Sequence, residues 1–167
     1  MDPLVARNIS ILVGTLLLAA VIGFGFVIRN GTYSTNQAQD LVTIAQGLQK
    51  AYVNQNYQYG AAVIPSSTLI NAGKVDPNTV TGTNIMSRWQ TAIVITGAGT
   101  AFTLALTGIP SNNCVDLMLD QSLQQYATSI GITGGTARTE PVSQANAAAD
   151  CGTSGTVNLT ATMIGHP

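Results

Sequence analysis

Two cysteines, Cys114 and Cys151, stand 37 positions apart, and the chain holds a single histidine, His166. A structural zinc site needs about four ligands, so this set cannot build one. In an exported domain two such cysteines form one disulfide; two free, buried thiols are the alternative. Closing a loop of that length would contribute roughly 3–4 kcal/mol through loop entropy. Other candidates for chemistry are sparse. Asp116 and Asp120, four apart, would share a helical face, but no metal-binding side chain accompanies them, and they read as ordinary surface carboxylates. The glycines of GAGT and GITGG do not precede a helix opening with Lys-Ser/Thr, as a phosphate loop requires. Penultimate His166 reads as part of a solvated tail. Arg88 beside Trp89 could stack on the indole or bridge two subunits, with a local structural role the simpler reading. Asn8, Asn30 and Asn158 open N-x-S/T triplets that read as chance. No catalytic residue, metal site or cofactor is expected, and the chain does not read as an enzyme.

The elements that would position these residues explain more. Of 167 residues 46% are hydrophobic, yet only 8% are charged and 5% aromatic. Soluble domains run near a quarter charged, so the surface here must be built from Thr, Ser, Asn, Gln, Gly and Ala. Such a surface suits a protein that packs against copies of itself or works outside the cell. A net charge of −1 with six basic residues gives no electrostatic footprint for nucleic acid.

From Ile9 to Ile28 the chain runs ISILVGTLLLAAVIGFGFVI, 20 residues without a charge, flanked by Arg7 and Arg29. A helix of that length spans the ~30 Å hydrocarbon core of a bilayer. Asp2 can cap it, and Pro3 sits where the first helical residue needs no N–H. The run is too long for a cleaved signal peptide, and NGTYSTNQ is a weak cleavage context. Beyond Arg29 apolar residues recur at helical spacing, Leu41, Ile44, Ala45, Leu48 and Tyr52. One rod from Pro3 to about Asn54 would measure roughly 75 Å, far more than a membrane needs. Gly14, Gly23, Gly25 and Gly31 interrupt it; they allow close helix packing or mark places where the helix stretches or bends.

Downstream, a loop rich in Pro, Gly, Ser and Asn carries a short helix near Ser66–Ala72 stopped by Gly73. Thr91–Thr96 and Ala101–Gly108 flank a glycine-containing turn and read as a hairpin. Ser111–Thr128 reads as one helix, with Val115, Leu117, Met118, Leu119 and Leu123 as its apolar positions. GITGG reads as a turn, and TARTEPVSQANAAADCGTSG as a long irregular stretch. Val157–Ile164 alternates apolar and polar, which makes a last strand. The expected fold class is α+β: a long N-terminal helix, whose half beyond Tyr33 covers an antiparallel sheet. Residues 1–54 form the helix, with 1–30 hydrophobic and 31–54 amphipathic, and residues 55–167 the globular head. Nothing in that head can bury the first half of the helix, so its partner must be lipid or other copies of itself.

Three stretches carry a family resemblance. LVTIAQGLQKAYVNQNYQYG resembles the second half of the long helix of type IV pilins. TNIMSRWQTAIVITGAGTAFTLALTGIPSNNCVDL resembles their sheet region, with an aromatic before the hairpin and a cysteine opening the next helix. AAADCGTSGTVNLTATM resembles the closing segment, its cysteine just before the final strand. The likeness is greatest to the type IVb group, which takes in the bundle-forming, toxin-coregulated and thin conjugative pilins. It implies the type IV pilin fold and a major subunit that polymerises by bundling hydrophobic N-terminal helices. The filament-core side chains would then be Ile9, Leu12, Leu16, Leu17, Val21, Phe24 and Ile28, with Gly14, Gly23 and Gly25 giving flexibility.

The resemblance also implies partners and place. They are a homo-polymeric helical filament, the membrane before assembly, the pilus assembly machinery, and a recipient or host cell surface, with no direct nucleic acid. Location would pass from the bacterial inner membrane to an extracellular pilus. The family's usual fifth-position glutamate is Val5 here. Either Asp2 takes its docking role at Met1, or docking relies on packing and on Arg7. With no glycine-ended basic leader, Met1 reads as the mature N-terminus, against a precursor cleaved after Gly14. Methylation of the N-terminal amine is a family habit. The competing functions are a minor pilin or secretion-system pseudopilin, and a membrane-anchored periplasmic binding module.

Overall fold

A computed structural model describes residues 32–139 and 141–165. From Tyr33 onward the chain forms one unit, opened by helix α1, residues 32–52. Its apolar stripe, Ala38, Leu41, Ile44, Ala45 and Leu48, is buried at the i, i+3, i+4 spacing that lines one helical face. After one 3₁₀ turn at Val53–Gln55 the helix stops at Asn56 and Tyr57, both in the left-handed region. The expected amphipathic rod thus ends where its periodicity does. The residues expected to form its uncharged half lie outside the described residues.

Helix α2, Ser66–Asn71, follows in the loop, as read from the sequence. A small hairpin of β1 (Val80–Thr81) and β2 (Asn84–Ile85) then leads to the main sheet. That sheet holds β3 (Val94–Ala98), β4 (Ala101–Pro110), β5 (Ala127–Ile132), β6 (Arg138–Thr139) and β7 (Thr156–Met163). It is antiparallel throughout, in the order β3-β4-β7-β5-β6. The strand made last therefore lies in the middle. Alternation decides its faces: Leu159, Ala161 and Met163 point inward with Phe102, Leu104 and Leu106 of β4. These join the α1 stripe in one buried cluster.

Strand β3 runs two residues past the end of TAIVIT, and the β3–β4 hairpin turns at Gly99 and Thr100, with Gly99 at φ +70°. The outer edge of β3 is not bare. Residues 59–64 run along it through Tyr59 N–H to Gly99 C=O (2.8 Å), Gly97 N–H to Ala62 C=O (2.9 Å) and Ile64 N–H to Ile95 C=O (2.8 Å). Only glycine fits at 97, since a Cβ there would lie 2.2 Å from the Tyr59 carbonyl oxygen.

Three readings of the second half need correction. The single helix expected over Ser111–Thr128 is two: α3 (Ser111–Met118) and α4 (Gln121–Tyr126). Asp120 adopts extended backbone between them and accepts hydrogen bonds from Ser122 N–H (2.9 Å) and Leu123 N–H (3.3 Å). It is an N-cap, and it does not share a helix with Asp116. Next, Ala127 to Ile132 is strand β5, so GITGG contributes strand before its turn. Lastly, the stretch expected to be irregular contains β6 and helix α5, Gln144–Cys151, capped by Ser143 Oγ.

Candidate functional site

The cysteines meet. Cys114 on α3 and Cys151 at the end of α5 form a disulfide, Cα atoms 5.8 Å apart, with both side chains buried. Helix α5 leads directly into β7, so this bond fixes the entry of the central strand against the helix that leaves β4. The alternative of free thiols falls.

Two bidentate ion pairs hold other parts of the head. Arg88 Nε and an Nη donate to the Asp40 carboxylate at 2.7 and 3.0 Å, and the Arg88 backbone N–H donates to Gln37 Oε1 at 2.7 Å. Arg88 thus clamps the strand-entry loop to α1. The local structural reading holds, and the intersubunit bridge is replaced by an internal one. Arg138 on β6 makes the same fork with Asp150 on α5, at 2.8 and 2.9 Å. Its hydrogen bonds hold the Asp150 carboxyl below the usual carboxylate range. Neither Asp40 nor Asp150 stands out in sequence, because nothing local signals a partner 48 or 12 residues away.

The C-terminal end of the described chain is tied down by polar side chains. The Tyr59 hydroxyl donates to the Gly165 carbonyl, and Gln49 Nε2 donates to the Ile164 carbonyl at 2.9 Å. Burial pushes the Tyr59 phenol up to about 12. Its ring lies 4.9 Å from both Tyr52 and Phe102. Asn158, the one sequon residue in the described part, uses its Oδ1 to accept from Gly108 N–H at 3.1 Å, at the irregularity between Leu106 and Ile109.

Among the described residues no group of three or more His, Cys, Asp or Glu could hold a metal ion. Among those same residues no helix is long and apolar enough to cross a membrane. The residues expected to make the filament core (Ile9, Leu12, Leu16, Leu17, Val21, Phe24, Ile28), to dock the N-terminus (Met1, Asp2, Arg7) and to give flexibility (Gly14, Gly23, Gly25) lie outside them. His166 does too. What the described part of the head offers is a polar surface with few charges.

The family model described as PilS N terminal matches residues 32–163. No curated protein matches the sequence. Among solved structures, TcpA, a type IV pilin from Vibrio cholerae El Tor biotype, aligns with a TM-score of 0.57 at 15% identity. That alignment covers 80% of this chain and 98% of the TcpA chain. The type IV b pilin from Salmonella typhi aligns at 0.50 with 22% identity, covering 72% of this chain and 95% of its own. Likeness at such identities is likeness of fold, and it is the α+β fold expected from the sequence. The family is one of structural proteins. With the family model matching residues 32–163 and the sheet and helix matching those pilins, the chain belongs to the type IV pilin family and carries the type IVb form of its fold.

Proposed function

We propose that this chain is the major structural subunit of a type IVb pilus, a filament for adhesion or for mating-pair contact in conjugation. The observation that carries this reading is a type IVb head joined directly to a 20-residue uncharged run, Ile9–Ile28. An exposed apolar helix of that length would aggregate, so it needs lipid first and other subunits afterwards. Bundled in a filament core, Ile9, Leu12, Leu16, Leu17, Val21, Phe24 and Ile28 would each contribute at roughly 25 cal/mol per Å² of apolar area buried. Backbone groups would stay paired within each helix. Met1, Asp2 and Arg7 would dock the N-terminus, and Gly14, Gly23 and Gly25 would let the helix adapt. Storage in the inner membrane and extraction by an assembly machinery complete the scheme, with residues 1–54 as helix and 55–167 as head. The test is electron microscopy of material sheared from expressing cells, with mass spectrometry of the subunit's N-terminus. Thin fibres composed mainly of this chain support the proposal. Protein retained in the membrane fraction without fibres sinks it, in favour of an anchored module. Fibres that contain the chain only in traces make it a minor pilin.

A further inference from the structure

Charge is scarce in the head, and six of the nine charged side chains among the described residues are spent internally. Arg88 pairs with Asp40 and Arg138 with Asp150. Asp76 and Asp120 cap the turns that follow them. Three charged side chains remain without an internal partner among the described residues: Lys50, Lys74 and Asp116, all exposed. The two lysines lie at one end of α1. Lys50 is in its closing turns, and Lys74 packs its Cβ against the helix at Gly47. Asp116 lies at the other end, because its helix α3 meets the start of α1, where Asn113 Nδ2 donates to Ser34 Oγ at 3.0 Å. Sixteen residues separate Ser34 from Lys50, so the two signs stand about 24 Å apart along the helix axis.

The shapes around these charges are complementary as well. Lys50 rims an open groove of about 490 Å³ lined by Gln46, Gln49, Val53, Tyr57 and Tyr126, in which Val53 is 47% exposed. Around Asp116, α3 and its C-cap place exposed Asn112 with Val115 and Leu119, both packed against the core and half-exposed, so that 112, 115, 116 and 119 follow i, i+3, i+4 and i+7 spacing. That is a helix ridge with an acid between two partly exposed apolar side chains; the groove is a largely apolar trough with a base at its rim. The two patches differ in place, shape and sign, so neither is complementary to itself. A contact between them is heterologous, the kind that propagates as an open helical filament when its rotation does not close a ring.

We infer that the outer ridge of α3 on one subunit seats in the groove beside α1 on the next, with Asp116 facing Lys50 and the contact repeating along the fibre. This deepens the filament reading and rests on it. Lys74 lies at the same end of α1 and adds to the attraction. In a rim this poor in charge, one misplaced sign has few neighbours to screen it, and like charges placed together across an interface are strongly unfavourable.

The test is a charge-reversal set made in the full chain and expressed in cells: Lys50→Asp, Asp116→Lys, and the two together. The readout is the mass of sheared fibre relative to chain in the membrane. Mobility on non-reducing gels reports whether the Cys114–Cys151 bond, and so the head, has formed. Each single reversal is expected to lower fibre yield about tenfold, the equivalent of roughly 1.4 kcal/mol per contact, and the double reversal to restore it to within about twofold. Yields unchanged by either single reversal would leave the groove to some other occupant and overturn the inference, as would single losses that the double reversal does not repair. If the unaltered chain makes no fibres at all, the filament reading itself fails, and the contact with it.

Discussion

Tyr59 shows how one side chain can tie an end of the chain to the core. Its phenol is buried, bonded to the Gly165 carbonyl and ionises near 12, whereas an unfolded tyrosine ionises near 10. Its folded pKa is the higher one. The contribution is therefore complete below pH ~10 and is lost as pH rises through about 12. Ultraviolet titration should resolve a tyrosinate step near pH 12 that disappears in Tyr59→Phe. That variant should also lose about 1 kcal/mol of stability. The Arg138–Asp150 fork works at the other end of the scale. Asp150 has a depressed pKa, so its contribution is present above the unfolded carboxylate value of about 3.9 and is lost as pH falls below it. Melting temperatures measured from pH 6 down to about 2 should fall less steeply in Asp150→Asn than in the parent. Neither partner is visible from the sequence, since each pairing is made by the fold and not by spacing.

At the scale of elements, the segment over β3 is the informative one. Residues 59–64 protect a strand edge that would otherwise be open to pairing with another chain, and Gly97 is the point of closest approach. Gly97→Ala should push the segment away and destabilise the head by about 2–3 kcal/mol. Hydrogen exchange would report it as lost protection at the amides of Tyr59, Gly97 and Ile64. Long, periodic elements were readable in advance: the α1 stripe, the β3–β4 hairpin and the alternation of β7. Short ones mostly were not, helix α2 with its stop at Gly73 being the exception. Leu119 and Leu123 continue the apolar rhythm of α3 across a break that only the extended backbone of Asp120 creates, and six residues of β5 offer too little alternation to override it. Helix α5 was hidden because QANAAADC has Ala where an amphipathic pattern would need larger apolar residues; the cue that was present is Ser143 at its start.

For the whole molecule, the disulfide is the strongest single restraint. Replacing Cys114 and Cys151 with Ser should lower stability by roughly 3–4 kcal/mol, read as the denaturation midpoint in detergent, and a reductant should have the same effect on the parent chain. The head's family and fold followed from the order of features along the chain, with no single motif deciding it. The surface was legible only as a composition. Which of its few charges are committed internally, and which stay available to a neighbour, required the fold.

The central position of β7 has a consequence for timing. Until residues 156–163 arrive, β4 and β5 have no common neighbour, and the sheet is two fragments with facing raw edges. The β4–β7 pairings join residues 46 to 61 apart and the β5–β7 pairings residues 27 to 36 apart, and such non-local pairing folds slowly. Before β7 is in place the chain can hold the β3–β4 and β5–β6 pairings but not a joined sheet. Completion waits for residues 156–163, so one strand decides whether the two fragments become a single sheet.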